Sequence, residues 1–70
     1  MSAKSIFING EPTTLPEYVV TVKDLLKWRN IPLSGTAVAV NSRLVPASRH
    51  ECTQLEPLDK VSIISAAYGG

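Results

Sequence analysis

The chain has 70 residues, 44% of them hydrophobic, and seven Lys and Arg against six Asp and Glu give it a net charge of +1. A chain of this length forms one small domain, which excludes large clefts, and its apolar content excludes a disordered protein. Its basic residues are scattered and no apolar run approaches the roughly 20 residues of a membrane span, so we expect a soluble, cytoplasmic protein that binds neither nucleic acid nor membranes.

The first predicted element is a β-hairpin. The run from Ser5 to Asn9 is rich in β-branched and aromatic residues, and Asn9-Gly10 is a strong hairpin turn signal. The second strand would extend from Glu11 to about Leu15. Because it contains Pro12, which cannot donate a backbone hydrogen bond, we place it at the edge of a sheet.

A helix is predicted from about Val22 to Arg29. Thr21 precedes an i, i+3, i+4 apolar pattern formed by Val22, Leu25 and Leu26, and Asp24 occupies the acidic position of a capping box. Asn30 and the proline two residues after it end the helix.

The rest of the chain predicts three strands. Thr36 to Asn41 forms the third, Leu44-Val45 a short fourth after a turn at Asn41-Ser42, and Lys60 to about Ala66 the last. The polar segment 48–51 has no clear period, which indicates a loop or a single helical turn.

One sheet with one helix lying across it is the economical packing of these elements, which places the chain in the α+β class. Strand alternation would direct Ile6, Ile8, Val61 and Ile63 towards the helix. Three residues, Phe7, Ile64 and Ala66, would then form an apolar patch on the opposite face of the sheet. Such a patch marks a partner surface unless loops cover it, and the sequence leaves both possibilities open.

Few residues can carry chemistry. The single cysteine, Cys52, excludes an internal disulfide and fits a reducing compartment. It lies two residues from His50, but no orienting residue completes a nucleophilic site, so we expect Cys52 to be buried, His50 to be solvated in a loop and no residue to be catalytic. Trp28 is expected to be half-buried. No residues in the sequence have the spacing of a set of metal ligands.

The sequence ends with Tyr68-Gly69-Gly70. Two glycines can pass through a narrow channel and present a carboxylate without side-chain hindrance. We therefore divide the chain into a folded domain, residues 1–66, and a flexible tail, residues 67–70, which would reach roughly 13 Å when extended. Acyl chemistry at the Gly70 carboxylate requires prior activation, for example by transfer of AMP from ATP.

The whole chain resembles the ThiS family of sulfur carriers, relatives of ubiquitin with the β-grasp fold, a mixed sheet of four to five strands crossed by one helix. The resemblance rests on the order and spacing of several segments: Ile6–Gly10, Thr21-Val22 with Leu25-Leu26, Ala37–Asn41 followed by Leu44–Pro46, Leu58–Ile63, and Gly69-Gly70. The family usually has glycine where this chain has Leu58, so we expect the turn before Asp59 to differ.

The resemblance implies a protein co-substrate for the synthesis of the thiazole ring of thiamine. A ThiF-type enzyme would consume ATP to adenylate the Gly70 carboxylate, and a sulfur donor such as a cysteine desulfurase would convert the adenylate to a thiocarboxylate. A ThiG-type thiazole synthase would receive the sulfur. The carrier itself would bind no cofactor. Gly69 would be the adjoining link, Tyr68 would line the enzyme channel, and Phe7, Ile64 and Ala66 would dock the partner.

Three alternatives remain. A MoaD-like carrier for molybdopterin synthesis ends in the same way, although such chains are usually longer. A ubiquitin-like protein modifier would join Gly70 to lysine amines. A plain binding module would make no use of its glycines.

Overall fold

The computed structural model describes residues 3–65, which form a five-stranded mixed sheet crossed by one α-helix. The elements in chain order are β1 (Lys4–Ile8), β2 (Glu11–Leu15), α1 (Val22–Trp28), β3 (Thr36–Val40), β4 (Arg43–Val45), a 3-10 turn (Ala47–Arg49) and β5 (Lys60–Ser65). The strand order across the sheet is β2-β1-β5-β3-β4. Strand β5 runs parallel to β1, and the other neighbouring strands are antiparallel. The predicted α+β fold is confirmed.

Both hairpins turn at the residues that the sequence indicated. Asn9 and Gly10 have φ values of 49° and 87°, and Asn41 and Ser42 have φ values of 51° and 71°. Positive φ at both central residues is what type I′ turns require, and these turns match the natural twist of the strands. The hairpin β1–β2 places β2 at one edge of the sheet, as its proline predicted.

Helix α1 begins with the predicted capping box. The Asp24 backbone N–H donates to Thr21 Oγ1 over 3.1 Å, and the Thr21 backbone N–H donates to Asp24 Oδ2 over 3.1 Å. The Val20 N–H donates to the same carboxylate oxygen over 3.0 Å. Hydrogen bonds from the backbone N–H groups of Thr21 and Val20 hold the pKa of Asp24 below its ordinary value.

The last strand is inserted between β1 and β3, and two asparagines from the hairpin turns bond to it. Ile63 N–H donates to Asn9 Oδ1 over 2.8 Å, and Asn9 Nδ2 donates to the Ile63 carbonyl over 3.2 Å. On the other side, Lys60 N–H donates to Asn41 Oδ1 over 2.9 Å. The two side chains therefore supply hydrogen bonds to β5 at positions where its neighbours, β1 and β3, have already ended.

The core lies between the sheet and α1. Its inward residues include those predicted from strand alternation and helix period, which the structure confirms: Ile6, Ile8, Val22, Leu25, Leu26, Val61 and Ile63. The segment after the 3-10 turn contributes Leu55, whose N–H donates to the Val20 carbonyl over 2.8 Å. Trp28 is partly buried against this core, as expected.

Two expectations about the segment between β4 and β5 are wrong. His50 is 3% exposed and its Nε2 lies 3.1 Å from the Val45 carbonyl oxygen, so it is a packing residue rather than a solvated one. Cys52 is exposed rather than buried. The 3-10 turn at Ala47–Arg49 directs His50 inwards, a consequence of long-range packing that its polar neighbours do not reveal.

Several boundaries shift by one residue. Asn9 and Asn41 lie in turns rather than in strands, Arg29 caps α1 rather than belonging to it, and β4 begins at Arg43. The predicted end of the last strand, Ala66, lies outside the described residues.

The turn before Asp59 places Leu58 in a conformation that favours glycine. Asp59 N–H donates to the Glu56 carbonyl over 3.2 Å, Pro57 occupies the second position, and Leu58 has a φ of 68°. Proline followed by a residue of positive φ is the pattern of a type II turn. Leu58 is 67% exposed, so burial of its side chain offsets little of the backbone strain.

The capping box generates a prediction about stability and pH. Asp24→Asn should lower the free energy of unfolding by about 1 kcal/mol at neutral pH, because the amide is a weaker acceptor at the helix start. The pKa of Asp24 is lowered in the folded chain, so the carboxylate stabilises the fold above its unfolded pKa and loses that effect as the pH falls through the folded pKa. Urea unfolding of the wild type and D24N should therefore converge in acid, whereas the exposed control Glu17→Gln should differ little from the wild type at any pH.

The type II turn generates a second prediction. Leu58→Gly should raise the free energy of unfolding by roughly 0.5–1 kcal/mol, since the relief of left-handed strain exceeds the greater entropy of glycine in the unfolded chain. Leu44→Gly is the matched control, because Leu44 is 72% exposed but lies within β4, where glycine weakens a strand. Urea unfolding should give opposite signs for the two variants. Destabilisation by both would contradict the strain argument.

Candidate functional site

The face of the sheet opposite α1 carries the predicted docking residues. Ile6 and Ile8 are buried under the helix, so Phe7 between them points to the other side of β1, where it is half-buried. By the same alternation Ile64 points outward between Ile63 and Ser65, and it is 68% exposed. Ala66, the third predicted docking residue, lies outside the described residues. The structure thus places Phe7 and Ile64 on one face, which we call the open face.

Strand register adds residues to the open face that strand alternation alone does not assign to it. Ala37 is the cross-strand partner of Ile64, and Ala39 is the partner of both Ser62 and Leu44. Partners that stand directly opposite in a sheet point to the same side. The centre of the open face therefore carries small side chains, with Leu44 projecting beside them at the β4 edge. Alternation along β3 and β4 indicates which residues of each strand share a face. Which of the two faces that is follows only from the pairing of these strands with their neighbours.

Charge is nearly absent from the open face. Among the described strand residues that point to this side, only Lys60 is charged, by its register opposite Phe7. A groove there is lined by Phe7, Lys60 and Ser62 together with Gly10 of the hairpin turn. A mainly apolar surface with one cation at its margin can contact an apolar partner surface without burying unpaired charges.

The open face adjoins the end of β5, from which the chain continues towards Gly70. Ile64 and Ala37 form the last outward cross-strand pair of β5, one residue before the end of the described segment. The predicted tail residues, Tyr68, Gly69 and Gly70, lie outside the described residues, and their roles stay predictions.

The remaining candidates do not assemble into a reactive site. The His50 ring is buried and bonded to a backbone carbonyl, whereas Cys52 is exposed, so the two side chains have different surroundings. Within residues 3–65, no group of three or more His, Cys, Asp or Glu side chains is placed to hold a metal ion. In the same residues no helix is both long enough and apolar enough to cross a membrane.

Comparisons with known proteins place this fold in a family. The model of the ThiS family matches residues 6–70 of the chain. "Uncharacterized protein ycf40" from Porphyra purpurea is 35% identical over 66 residues, which cover 94% of this chain and 92% of that protein. The crystal structure of a thiamine biosynthesis protein (ThiS) from Geobacter metallireducens is similar with a TM-score of 0.77 and 19% identity, covering 87% of this chain and 91% of that one.

The alternation along β5 predicts very different losses of stability for two adjacent isoleucines. Ile63→Ala should lower the free energy of unfolding by about 2–5 kcal/mol, because it leaves a cavity in the core. Ile64→Ala should change it by less than about 0.5 kcal/mol, because its side chain is mostly exposed. Urea unfolding of both variants measures the difference. Equal losses would show that Ile64 belongs to a packed core and not to the open face.

Proposed function

The chain belongs to the ThiS family, and we propose that it is a sulfur carrier for the thiazole ring of thiamine, with Gly70 as the residue that bears the sulfur. The observation that carries the proposal is the family match, which extends through Gly69-Gly70. The structurally similar protein from Geobacter metallireducens is a thiamine biosynthesis protein, which supports the choice of pathway. The protein would act as a co-substrate and would itself catalyse no step.

The proposed chemistry begins with activation of the Gly70 carboxylate. A carboxylate is a poor electrophile, so a ThiF-type partner would direct one of its oxygens to the α-phosphorus of ATP, which forms an acyl adenylate and releases pyrophosphate. A persulfide on a sulfur donor such as a cysteine desulfurase would then attack the carbonyl and release AMP. Cleavage of the resulting disulfide bond by a second thiol would leave the thiocarboxylate on Gly70 and a new disulfide on the donor. A ThiG-type synthase would take up that sulfur.

The sequence at the end of the chain suits these steps. Glycine has no side chain to hinder attack at the Gly70 carbonyl, and Gly69 allows backbone conformations that a residue with Cβ rarely adopts. Precise alignment of a carbonyl with its nucleophile accounts for a large share of catalysis in acyl transfer. Ala67 and Tyr68 would occupy the channel that leads to the partner's active site.

The open face would supply the docking contact. Phe7, Ile64 and Leu44 can contribute apolar area, while the small side chains of Ala37 and Ala39 allow close approach of a partner backbone. The face adjoins the end of β5, so a partner bound there would lie beside the point where the chain continues towards Gly70. Docking and presentation of the carboxylate would then occur on one side of the molecule.

The decisive experiment is intact mass spectrometry of the chain ending in Gly70, after incubation with ATP, a ThiF-type adenylating enzyme and a sulfur donor. We expect a mass gain equal to the exchange of one oxygen for one sulfur. The gain should be absent when Gly70 is deleted and retained in the surface control Glu17→Gln. Transfer of that sulfur to thiazole by a ThiG-type synthase would complete the assignment.

A different outcome would identify another function. If a demonstrably active enzyme adenylates a known carrier but produces no gain here, the carrier proposal is wrong. Conjugates of the chain with cellular proteins through lysine amines would then indicate a modifier. Sulfur transfer to a molybdopterin precursor and not to thiazole would indicate a MoaD-like carrier.

A further inference from the structure

The free edge of β4 combines a basic groove with an exposed strand. Strand β4 is the last in the sheet order, and no other strand of residues 3–65 pairs with its outer side. The groove along it is lined by Val40, Arg43, Leu44, Pro46, Arg49 and Thr53. It brings two arginines together from separate elements, β4 and the 3-10 turn.

The charge of the two arginines is not balanced by any residue in the described part of the chain. Both are exposed, and no carboxylate of residues 3–65 lies within ion-pair distance of either. Two other basic side chains have partners: Lys23 Nζ lies 3.5 Å from Glu51 Oε2, and Lys4 Nζ donates to the Leu55 carbonyl over 2.6 Å. Among the described residues that line the groove there is no Asp or Glu, so the groove is positive.

The backbone of β4 offers hydrogen bonds to an added strand. A turn of two residues, Asn41-Ser42, makes Val40 and Arg43 the first hydrogen-bonded pair of the hairpin. Bonding alternates along an antiparallel pair, so the N–H and C=O of Leu44 point away from β3 towards the free edge. An extended segment could pair with these groups, as in recognition by strand addition.

We propose that this edge binds an acidic, extended segment of a protein partner, and this inference rests on the proposed carrier function only for the identity of that partner. A carboxylate of the segment lies between the guanidinium groups of Arg43 and Arg49, while its backbone pairs with Leu44. Arg43 and Leu44 point to opposite sides of β4. The matching segment therefore alternates acidic and apolar residues.

A polypeptide fits the edge better than a small anion does. Guanidinium groups bind carboxylates and phosphates alike, so charge alone does not choose between them. The unpaired backbone of Leu44 and its side chain, 72% exposed, lie beside the arginines, and a free phosphate would use neither. The combination of main-chain and apolar contacts with charge identifies a chain segment.

The test is titration of the ¹⁵N-labelled protein with the peptide acetyl-Glu-Val-Glu-Val-Glu-amide, followed by NMR. We expect the backbone amide signal of Leu44 and the side-chain Nε–H signals of Arg43 and Arg49 to shift. Arg43→Glu and Arg49→Glu should each weaken binding by about fivefold or more, because each removes one exposed ion pair and adds a repulsion between like charges. Lys27→Glu, which makes the same charge change on α1, should leave binding within twofold, and the spectra of all variants report whether they are folded.

Three results would overturn the proposal. Equal binding of the peptide with Gln in place of Glu would remove the role of charge. Equal weakening by Lys27→Glu, or shifts spread over all basic residues, would show unspecific attraction. Identical shifts with inorganic phosphate alone, at equal affinity, would identify a small-anion site.

A second measurement separates this inference from the carrier function. In the mass assay with the adenylating enzyme, Arg43→Glu should raise the KM for the carrier and leave kcat within twofold, because the groove acts in docking alone. Thiocarboxylate formation with unchanged KM would retain the carrier function and exclude the groove as a contact with that enzyme. Peptide binding without any thiocarboxylate would retain the groove and exclude the carrier function.

Discussion

The structure depends on the insertion of the last strand between two hairpins. Strand β5 is parallel to β1 and antiparallel to β3, so the last strand of the chain joins the first hairpin to the second. The ladder to β1 is short, with Phe7 opposite Lys60 and Ile8 opposite Val61. The Asn9 side chain adds hydrogen bonding on the β1 side of β5, and the Asn41 side chain adds it on the β3 side. Each asparagine occupies a hairpin turn, where its positive φ is tolerated. The same asparagines that form the turns therefore also fix the register of β5.

That register determines both faces of the sheet at once. A shift of one residue would turn Val61 and Ile63 out of the core and bring Lys60 and Ser62 into it. The side-chain bonds of Asn9 and Asn41 to β5 oppose such a shift. Because residues 3–65 contain a single α-helix of seven residues, one face of the sheet is covered and the other remains open. The open face therefore follows from the small size of the domain as much as from selection for a binding surface.

The local signals in the sequence predicted most of the fold. The Asn9-Gly10 turn, the capping box at Thr21 and the alternation along β5 depend on neighbouring residues, and each appears in the structure as expected. The burial of His50 and the exposure of Cys52 were predicted wrongly because they depend on how the 3-10 turn packs against distant segments. Phe7 and Ile64 were placed on the open face by alternation alone. Ala37, Ala39 and Leu44 were not assigned to it, because their place follows from the pairing of β3 with both neighbours, a register that periodicity does not provide.

The open face and the basic edge would have different physical roles in a carrier. Apolar contact supplies most of the affinity of an interface, whereas exposed charges mainly guide approach and orientation. A carrier that passes from an adenylating enzyme to a synthase must also dissociate from each. The centre of the open face, with Ala37, Ala39 and Ser62, offers little side-chain area for a strong anchor, and interface energy usually concentrates in a few large side chains that are fully desolvated on binding. Specific orientation from Arg43 and Arg49, with a moderate apolar contact, would allow rapid exchange between partners while keeping the end of β5 directed to the site where the carboxylate reacts.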